Sequence, residues 1–525
     1  MNSRKAGKGG FLLPKIYHKD QKRVLECLKN GDIEYADSTQ WSFADEFLCF
    51  VLQLKFFDFA DETYPNPRKV NYVPVWFLIA SQFVLRLHNR HAYNDLRYFL
   101  NAGSLLTKIG FNASASGVVG FNDKNTYERK TAIDADTVRK YYRDTESQEL
   151  RDWYNESVQR WLRGRKVFDH RGIFILDQSH LVVPDNPNYA DAVRMPVDEH
   201  GQRYPNLNQL SQEERKSLVY HPCYALSCLL HVSTSGDLYH IAGYDLGPGN
   251  TDELVQAENL LPSFCKMHPG VMKELIVDRG YISGPFIGKM KQTYNVDVLI
   301  PLKSSMSDFQ DALVIARTQD WTTTEHEIDK KDGKLLRKTI TTCVKRMDLW
   351  QDCPIPLDAY VSETTRWSTS KQAYETYNWV LAATKSYPSE AAAITRYRLR
   401  TDVEERFRQL KRFWNIADFT SPALGLMEAQ ICFTLLTYSL LQLYLRRHDL
   451  SDLTHRVIQT LRKEESLGKD VVLVYVDDAF GVYNLDDYCL TIIELDPEPK
   501  EKLKAIIQNQ KEVRISRQDP RKIVR

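Results

Sequence analysis

The chain lacks the features that would place it in a specialised class at first sight. Its 70 Lys and Arg residues balance 69 Asp and Glu residues, so the net charge of +1 indicates no polyanionic partner and any basic surface must be local. The nine cysteines include no CxxC pair and no zinc-finger spacing. This pattern predicts reduced thiols in a cytosolic protein and disfavours structural zinc. Internal repeats and long low-complexity segments are also missing.

Long hydrophobic runs are missing as well. Residues 1–15 are basic but contain no apolar segment of the kind that a signal peptide needs. The most apolar stretch, residues 429–445, is short for a membrane span and contains polar residues such as Gln430 and Gln442. We therefore predict a buried helix there, no membrane partner and a cytoplasmic location. The 525 residues, 43% of them hydrophobic, suffice for two to four globular domains.

Hydrophobic patterning divides the chain into regions. Residues 1–165 have helical spacing of apolar residues, which predicts a mainly helical accessory or nucleic-acid-binding region. Over residues 166–304, β-branched runs alternate with helical segments, which predicts the first part of an α/β core. Among the acids of the helix predicted over residues 251–264 is Glu253, with Thr251 as its expected N-cap.

The second half of the chain changes character twice. Residues 305–376 alternate polar and apolar positions, and Asp332-Gly333 is a hairpin signal between two candidate strands, so we predict a β-rich insertion. Residues 377–450 return to the α/β pattern and complete the core. Residues 451–525 form a small C-terminal region with one strand-like piece and a basic tail.

Three acidic residues stand at positions that suit a metal site. Asp177 ends an apolar, β-branched run, Asp278 directly follows the short run Glu274–Val277, and Glu404 lies in a predicted helix beyond the insertion. Hard cations such as Mg²⁺ prefer oxygen ligands. Two such ions would support an in-line phosphoryl displacement. Strand-end acids are common in α/β proteins, however, so Asp177 would equally serve to cap a strand.

The helix that contains Glu404 is more informative. Tyr397, Arg400, Glu404, Arg408 and Lys411 share one face if the helix is continuous. A separate apolar stripe consists of Val403, Phe407, Leu410 and Trp414. One face would then anchor the helix, and the other would present a carboxylate flanked by cations. Arg400, Lys411 and Arg408 on this face are candidates to hold phosphates.

Each of these assignments has a plainer alternative. Thr401 and Glu404 fit a capping box, which would tie Glu404 to the backbone. Asp402 and Glu405 compete for the metal role. Arg400 and Lys411 would also serve as ordinary surface charges paired with Glu404, and Tyr397 would serve as a core residue.

The spacing Y-x2-R-x3-E-x6-K, complete here as Tyr397, Arg400, Glu404 and Lys411, resembles the YREK signature of bacterial insertion-sequence transposases of the cut-and-paste DDE type. Asp177 in ILDQSH and Asp278 in IVDRGYIS look like the first and second acids of that family. The β-rich insertion between the second acid and Glu404 also matches its layout. The resemblance covers about residues 166–447 and selects Glu404 over its neighbours.

This resemblance implies a fold and an activity. The fold is an α/β RNase H-like catalytic core interrupted by the β-rich insertion, and Asp177, Asp278 and Glu404 would bind two Mg²⁺ ions, with Mn²⁺ as a substitute. The partners are double-stranded DNA at the terminal inverted repeats of a mobile element, target DNA, and a second copy in a homodimer on paired ends. The expected location is the bacterial cytoplasm, at the nucleoid. The alternatives are another two-metal nuclease on the same core and a domesticated DNA-binding protein without catalysis.

Other positions are weaker candidates. The resemblance implies an aromatic residue before the YREK helix that stacks on a flipped base when a DNA hairpin forms, and Trp379 in NWVLAATK is the candidate. His180 lies near Asp177, but metal-driven phosphoryl transfer requires no histidine, so we assign it no role. The glycines of residues 247–253 would approach a phosphate or simply form a turn before a helix. Residues 396–412 contain seven Arg and Lys and three acids, which would neutralise DNA phosphates or form a solvated face.

Overall fold

The computed structural model describes residues 17–71, 73–96, 133–202, 204, 210–328, 335–451, 453 and 469–518, with side chains up to residue 510. Contacts divide the chain into two compact units. Unit 1 contains residues 1–150, 418–444 and 455–525, and unit 2 contains residues 151–417 and 445–454. The turn predicted at Asp332-Gly333 lies outside the described residues, although the two strands that flank it pair antiparallel as expected of a hairpin.

The strands are numbered here in chain order. They are β1 (His18–Lys19), β2 (Tyr35–Trp41), β3 (Ile173–Val182), β4 (Val193–Met195), β5 (His221–Val232), β6 (Tyr239–Pro248), β7 (Glu274–Val277), β8 (Asp297–Pro301), β9 (Thr322–Ile328), β10 (Leu335–Met347), β11 (Leu357–Ser368), β12 (Ala373–Ala383), β13 (Lys469–Val476) and β14 (Ala479–Asn484).

The helices are numbered in the same way. They are α1 (Gln21–Lys29), α2 (Phe43–Gln53), α3 (Phe56–Thr63), α4 (Val75–Leu87), α5 (Ala135–Arg143), α6 (Ser147–Asp152), α7 (Gln159–Arg163), α8 (Gln212–Ser217), α9 (Glu253–Met267), α10 (Gly284–Tyr294), α11 (Ser307–Ala316), α12 (Glu390–Arg398), α13 (Arg400–Arg412), α14 (Leu424–Arg447), α15 (Leu485–Ile493) and α16 (Pro497–Gln518). A π-helical segment, Trp153–Val158, joins α6 to α7.

Unit 1 contains a four-stranded sheet in the order β1-β14-β13-β2. Val24 and Leu28 of α1 pack with Val472 and Val474 of β13 in its core. Strands from the two ends of the chain therefore share one sheet, although the patterning had assigned β2 and β13 to separate regions. The polar sequence of β2, YADSTQW, carries no apolar alternation. Only its pairing with β13 shows that it is a strand.

The predicted buried helix over residues 429–445 is observed within α14. In the described part of the chain α14 is the one helix long and apolar enough to span a membrane, and 94% of its apolar window is buried. Aromatic side chains from α2 and α4 surround it in unit 1. Phe433 of α14 lies 6.3 Å from Phe83 and Tyr444 lies 5.3 Å from Phe50, measured between ring centroids. Burial of such rings stabilises the helical part of unit 1.

Unit 2 is built on a ten-stranded mixed sheet. Its order is β4-β5-β3-β7-β8-β12-β11-β10-β9, and β6 pairs with β5. Apolar residues of α9, α10 and α11 pack against the sheet and form a core that includes Leu260, Ile287 and Phe309. The prediction of a mixed α/β fold is confirmed. The β-rich segment continues the core sheet through β12, which begins before the boundary predicted at residue 377.

Two local predictions about the acidic region were wrong. Asp177 lies in the middle of β3, not at its end, because β3 continues in antiparallel pairing with β5 as far as Val182. The parallel ladder between β3 and β7, however, ends at the pair Leu176 and Val277. The next residue along each strand is the acid, so Asp177 and Asp278 lie at the same edge of this ladder. The N-cap of α9 is Asp252 and not Thr251.

The helix expected to carry the whole YREK face is divided. α12 ends at Arg398 and α13 begins at Arg400, so Tyr397 belongs to a different helix from Arg400, Glu404 and Lys411. The hydroxyl of Thr401 donates to the Arg398 carbonyl over 2.7 Å. No side chain caps α13, so the Thr401–Glu404 capping box does not form and Glu404 is not held by the backbone.

The start of β3 depends on Gly172, which allows a stability test. Its φ is +60°, and a Cβ there would lie 2.2 Å from the Val271 carbonyl oxygen. The Gly172 carbonyl also accepts the N–H groups of Lys273 and Glu274 at the start of β7. We expect Gly172→Ala to lower the free energy of unfolding, measured in urea, through both left-handed strain of about 1–2 kcal/mol and overpacking of about 1–3 kcal/mol.

Gly270→Ala is the matched control. Gly270 has a φ of +71° but no atom within 4 Å of an added Cβ, so only the conformational strain applies. Equal losses for the two variants would show that crowding at Gly172 is not what sets the start of the β3–β7 ladder.

Candidate functional site

A cleft of about 420 Å³ in unit 2 gathers the predicted acids. It lies beside β3, the turn after β7, the start of α9 and one face of α13. The residues that line it are Asp177, Gln178, Ser179, His180, His200, Gly201, Gln202, Glu253, Asp278, Arg400, Glu404, Phe407, Arg408, Lys411 and Arg412. Most of these side chains are polar or charged, which suits a charged ligand.

The guanidinium group of Arg400 contacts all three acids. Its Nη1 lies 3.1 Å from Asp177 Oδ2 and 3.8 Å from Asp278 Oδ2, and its Nη2 donates to Glu404 Oε1. The acids come from a strand, a turn and a helix, and Arg400 is 223 residues from Asp177 in sequence. The structure therefore brings together the three acids and the arginine that the sequence pattern singled out.

The environment of Asp177 opposes its ionisation. Its side chain is only 16% exposed. Burial, the largest effect, together with the nearby carboxylates of Asp278 and Glu253, raises the pKa of Asp177 to about 7, although Arg400 acts in the opposite direction. A carboxyl group in this position gains strongly from any further cation that enters the cleft.

Asp278 is fixed by the turn that follows it. Its Oδ1 accepts the backbone N–H of Gly280 over 2.5 Å, and a short 3₁₀ turn, Arg279–Tyr281, begins there. Tyr281 is completely buried. The anchored turn leaves the second oxygen of Asp278 directed toward Arg400.

The structure separates Glu404 from its two competitors. Glu405 accepts both the Nε and Nη2 donors of Arg408 over 2.6 Å. This pairing lowers the pKa of Glu405. Asp402 lines a different cavity. Glu404 alone of the three lines the acidic cleft.

Of the other predicted residues, a lysine lines the cleft and two aromatic residues pack against each other. Lys411 lines the cleft, where its Nζ donates to the His200 carbonyl over 2.9 Å and burial lowers its pKa to about 8. Trp379 on β12 is half-buried, and its ring centroid lies 5.3 Å from that of Tyr397. Burial raises the pKa of Tyr397, and Arg400 opposes the shift. Trp379 thus packs against Tyr397, which precedes Arg400 by three residues in sequence.

The basic run over residues 396–412 is largely used inside the protein. Arg396 lies 3.5 Å from Glu274, and Arg398 pairs with Glu325. Arg406 is buried, with its guanidinium carbon 4.2 Å from the ring centroid of Tyr239. Much of the charge run therefore supports the fold. Within the run, Arg400, Arg408, Lys411 and Arg412 line the cleft.

The sequence patterning assigned no role to Glu253, which lines the same cleft as the three acids. Its helix begins after the turn at residues 247–252, where His180 Nε2 lies 3.0 Å from the Gly249 carbonyl. An acid at a helix start is common, so the sequence pattern does not mark Glu253 as part of the cleft. Only the packing of this turn against β3 shows that Glu253 lies there. His180, left without a role, helps to hold the turn.

The acids fit a hard divalent cation by their chemistry. Carboxylate oxygens are the ligands that Mg²⁺ and Mn²⁺ prefer. Within the described ranges, no three His, Cys, Asp or Glu side chains already converge on one metal position. The Arg400 guanidinium lies between the carboxylates and supplies the positive charge.

Comparison with known families identifies the family of this chain. The family model described as "Transposase DDE domain" matches residues 169–440, slightly more than half of the chain. The chain belongs to the transposase DDE domain family. This match confirms the resemblance at the level of the family, and it includes all three acids, Arg400 and Lys411. No curated protein is detectably similar to this transposase.

The position of Arg400 among the acids predicts an effect on stability. We expect Arg400→Gln, measured by urea unfolding without divalent cations, to lose about 1–2 kcal/mol, because three carboxylates in a partly buried cleft would then lose the cation that contacts all of them. The loss stays moderate since Asp177 can take up a proton.

Arg408→Gln provides the control on the same helix. Arg408 pairs with Glu405 at a more exposed position, where the two side chains are 41% and 32% exposed. Its removal should change stability by no more than about 0.5 kcal/mol. If the two variants are equally stable, Arg400 does not balance the charge of the acids.

Proposed function

We propose that this transposase binds the terminal inverted repeats of a mobile DNA element, cleaves its ends by metal-dependent phosphoryl transfer and joins them to target DNA. In this proposal Asp177, Asp278 and Glu404 are the metal-binding acids. The observation that carries it is the contact of one guanidinium group, that of Arg400, with all three carboxylates.

The strand order supports an RNase H-like core. Along the sheet, β6, β5 and β3 form an antiparallel meander, and β7 and β8 follow in parallel with β3. This is the arrangement expected of that fold, with the first acid on its first strand and the second acid after its fourth. In this proposal the strands β9 to β12, which follow at the end of the sheet, are the β-rich insertion before the helix of the third acid.

The acids would hold Mg²⁺, or Mn²⁺ in its place. Two bound ions would activate the attacking water or 3′-hydroxyl and stabilise the leaving oxygen. The protein contributes position and charge: β3 and the turn after β7 fix two carboxylates, and α13 directs the third toward them. Arg400 and Lys411 border the same cleft and suit DNA phosphates.

Further parts of the proposal rest on the YREK signature. Its spacing is complete in Tyr397, Arg400, Glu404 and Lys411. We therefore propose that the chain originates from a bacterial insertion sequence. Because two ends must be cut together, a homodimer on paired ends is proposed, acting at the nucleoid. Trp379 is proposed to stack on a flipped base during hairpin formation, and its half-buried ring beside Tyr397 supports this role.

A cleavage assay tests the central proposal. Purified protein is incubated with Mg²⁺ and a labelled duplex carrying the terminal sequence of the element, and products are resolved on a denaturing gel. We expect Asp177→Ala, Asp278→Ala and Glu404→Ala to bind the duplex but to cleave it at least about 100-fold more slowly, since each removes an oxygen ligand.

Glu405→Ala is the control, because Glu405 neighbours Glu404 but pairs with Arg408. Normal cleavage by Glu404→Ala would refute the assignment of the helical acid. Cleavage without any joining to target DNA would indicate a different two-metal nuclease. Binding without cleavage by the wild type would indicate a domesticated DNA-binding protein.

The hairpin step has its own test. We expect Trp379→Ala to nick the ends at the wild-type rate but to lose hairpin products, because a stacked base contributes about 1–3 kcal/mol. Trp367→Ala is the matched control, since Trp367 is also half-buried on the insertion and its ring lies 5.1 Å from that of Tyr374. A wild-type yield of hairpin from Trp379→Ala would exclude Trp379 from this step.

A further inference from the structure

We propose that Glu253 is a fourth carboxylate ligand of the metal site. This inference rests on the proposed function, because it assumes that Asp177, Asp278 and Glu404 bind metal. Glu253 lines the same cleft as these acids, although it belongs to none of the motifs that identify the family resemblance. Its position is argued from the two segments that adjoin it.

The first segment is β3, which holds the start of α9 against the acids. Gln178, the residue after Asp177, donates from Nε2 to the Thr251 carbonyl over 3.0 Å and to Gln256 Oε1 over 2.8 Å. These two bonds bracket Glu253 in sequence. The neighbour of the first acid thereby fixes the turn of backbone that carries Glu253.

The second segment is the turn that follows Asp278. A Cβ added to Gly280 would lie 1.4 Å from Glu253 Oε2, 2.6 Å from its Cδ and 3.2 Å from its Oε1. The three nearest atoms all belong to one carboxylate group. The missing side chain at residue 280 therefore leaves the space that the Glu253 carboxylate occupies, two residues beyond the second acid.

Helix stability alone does not account for this placement. An acid in the first turn of a helix gains from the helix dipole wherever its side chain points. Here Asp252 already caps α9 by accepting the Leu254 N–H over 2.8 Å. The Glu253 carboxylate instead lies against Gly280, on the turn that follows Asp278, and adds negative charge to the cleft that Asp177 also lines.

A metal site would account for the negative charge of Glu253 in the cleft. Mg²⁺ takes octahedral oxygen coordination, so two ions offer about a dozen positions, and three carboxylates leave many of them for water, phosphate or another side chain. A fourth carboxylate at the opening between Asp177 and the turn of Asp278 would supply one more ligand and strengthen the binding of divalent cations.

The test is a calorimetric titration of the full-length protein with Mn²⁺ alone, without DNA. Glu253→Gln keeps the shape of the side chain and removes its charge, and we expect it to weaken Mn²⁺ binding at least tenfold. Glu258→Gln is the control, because Glu258 lies on the exposed side of the same helix and should leave binding unchanged. Thermal unfolding without metal checks that each variant is folded.

Gly280→Ala probes the same contact from the opposite side. Gly280 does not have a positive φ, so alanine fits its backbone, but the new Cβ forces the Glu253 carboxylate to move. We expect weaker Mn²⁺ binding, and a double variant with Glu253→Gln that binds no more weakly than Glu253→Gln alone. Additive losses would mean that Gly280 acts independently of Glu253.

Glu404→Gln in the same titration separates the two proposals. If Glu404→Gln weakens binding and Glu253→Gln does not, the fourth ligand is refuted and the proposed function stands. If Glu404→Gln binds Mn²⁺ as the wild type does, or the wild type binds none, the metal assignment of the proposed function fails and the Glu253 proposal fails with it.

Discussion

The site depends on one physical constraint, which is that acids gathered in a partly buried cleft need a positive charge among them. Two like charges about 4 Å apart repel by about 4 kcal/mol at an effective dielectric constant of about 20. Arg400 meets this need through its planar guanidinium group, which reaches Asp177, Asp278 and Glu404 at once. A lysine, with a single charged nitrogen, has no comparable fork of donors. The arginine thus lets the core fold with these three carboxylates close together.

The fold is arranged to bring these charges to one place. The β3–β7 ladder ends at Leu176 and Val277, so the two aspartates emerge side by side. The chain then forms the β-rich segment β9 to β12, and its last strand, β12, pairs with β8 of the same sheet. Helix α13 comes after this segment. The β-rich segment therefore does not displace Glu404, because the sheet beside Asp177 and Asp278 also anchors the end of that segment.

The sequence predicted what depends on local patterns. The run Glu274–Val277 is a strand with the predicted bounds, and the spacing around Glu404 selects the one of three neighbouring acids that lines the cleft. Features that depend on distant partners were missed. Asp177 was placed at a strand end because pairing with β5 is invisible in the apolar run, and β2 was not recognised because its pairing with β13 spans more than 400 residues. The break at Leu399 has no Gly or Pro signal, and Glu253 is identified only by the packing of its turn against β3.

The internal use of basic residues has a consequence for DNA binding. Arg396, Arg398 and Arg406 are committed to Glu274, Glu325 and the Tyr239 ring. Phosphates that enter the cleft would therefore meet chiefly Lys411, Arg412 and Arg400. Arg400, however, is engaged with the three acids. Divalent cations bound as proposed would take over that role and release the guanidinium toward phosphate. Metal and DNA would then bind cooperatively. Bound metal would reduce the repulsion between the acids and a phosphate, and bound phosphate would reduce the repulsion between the metal and Arg400.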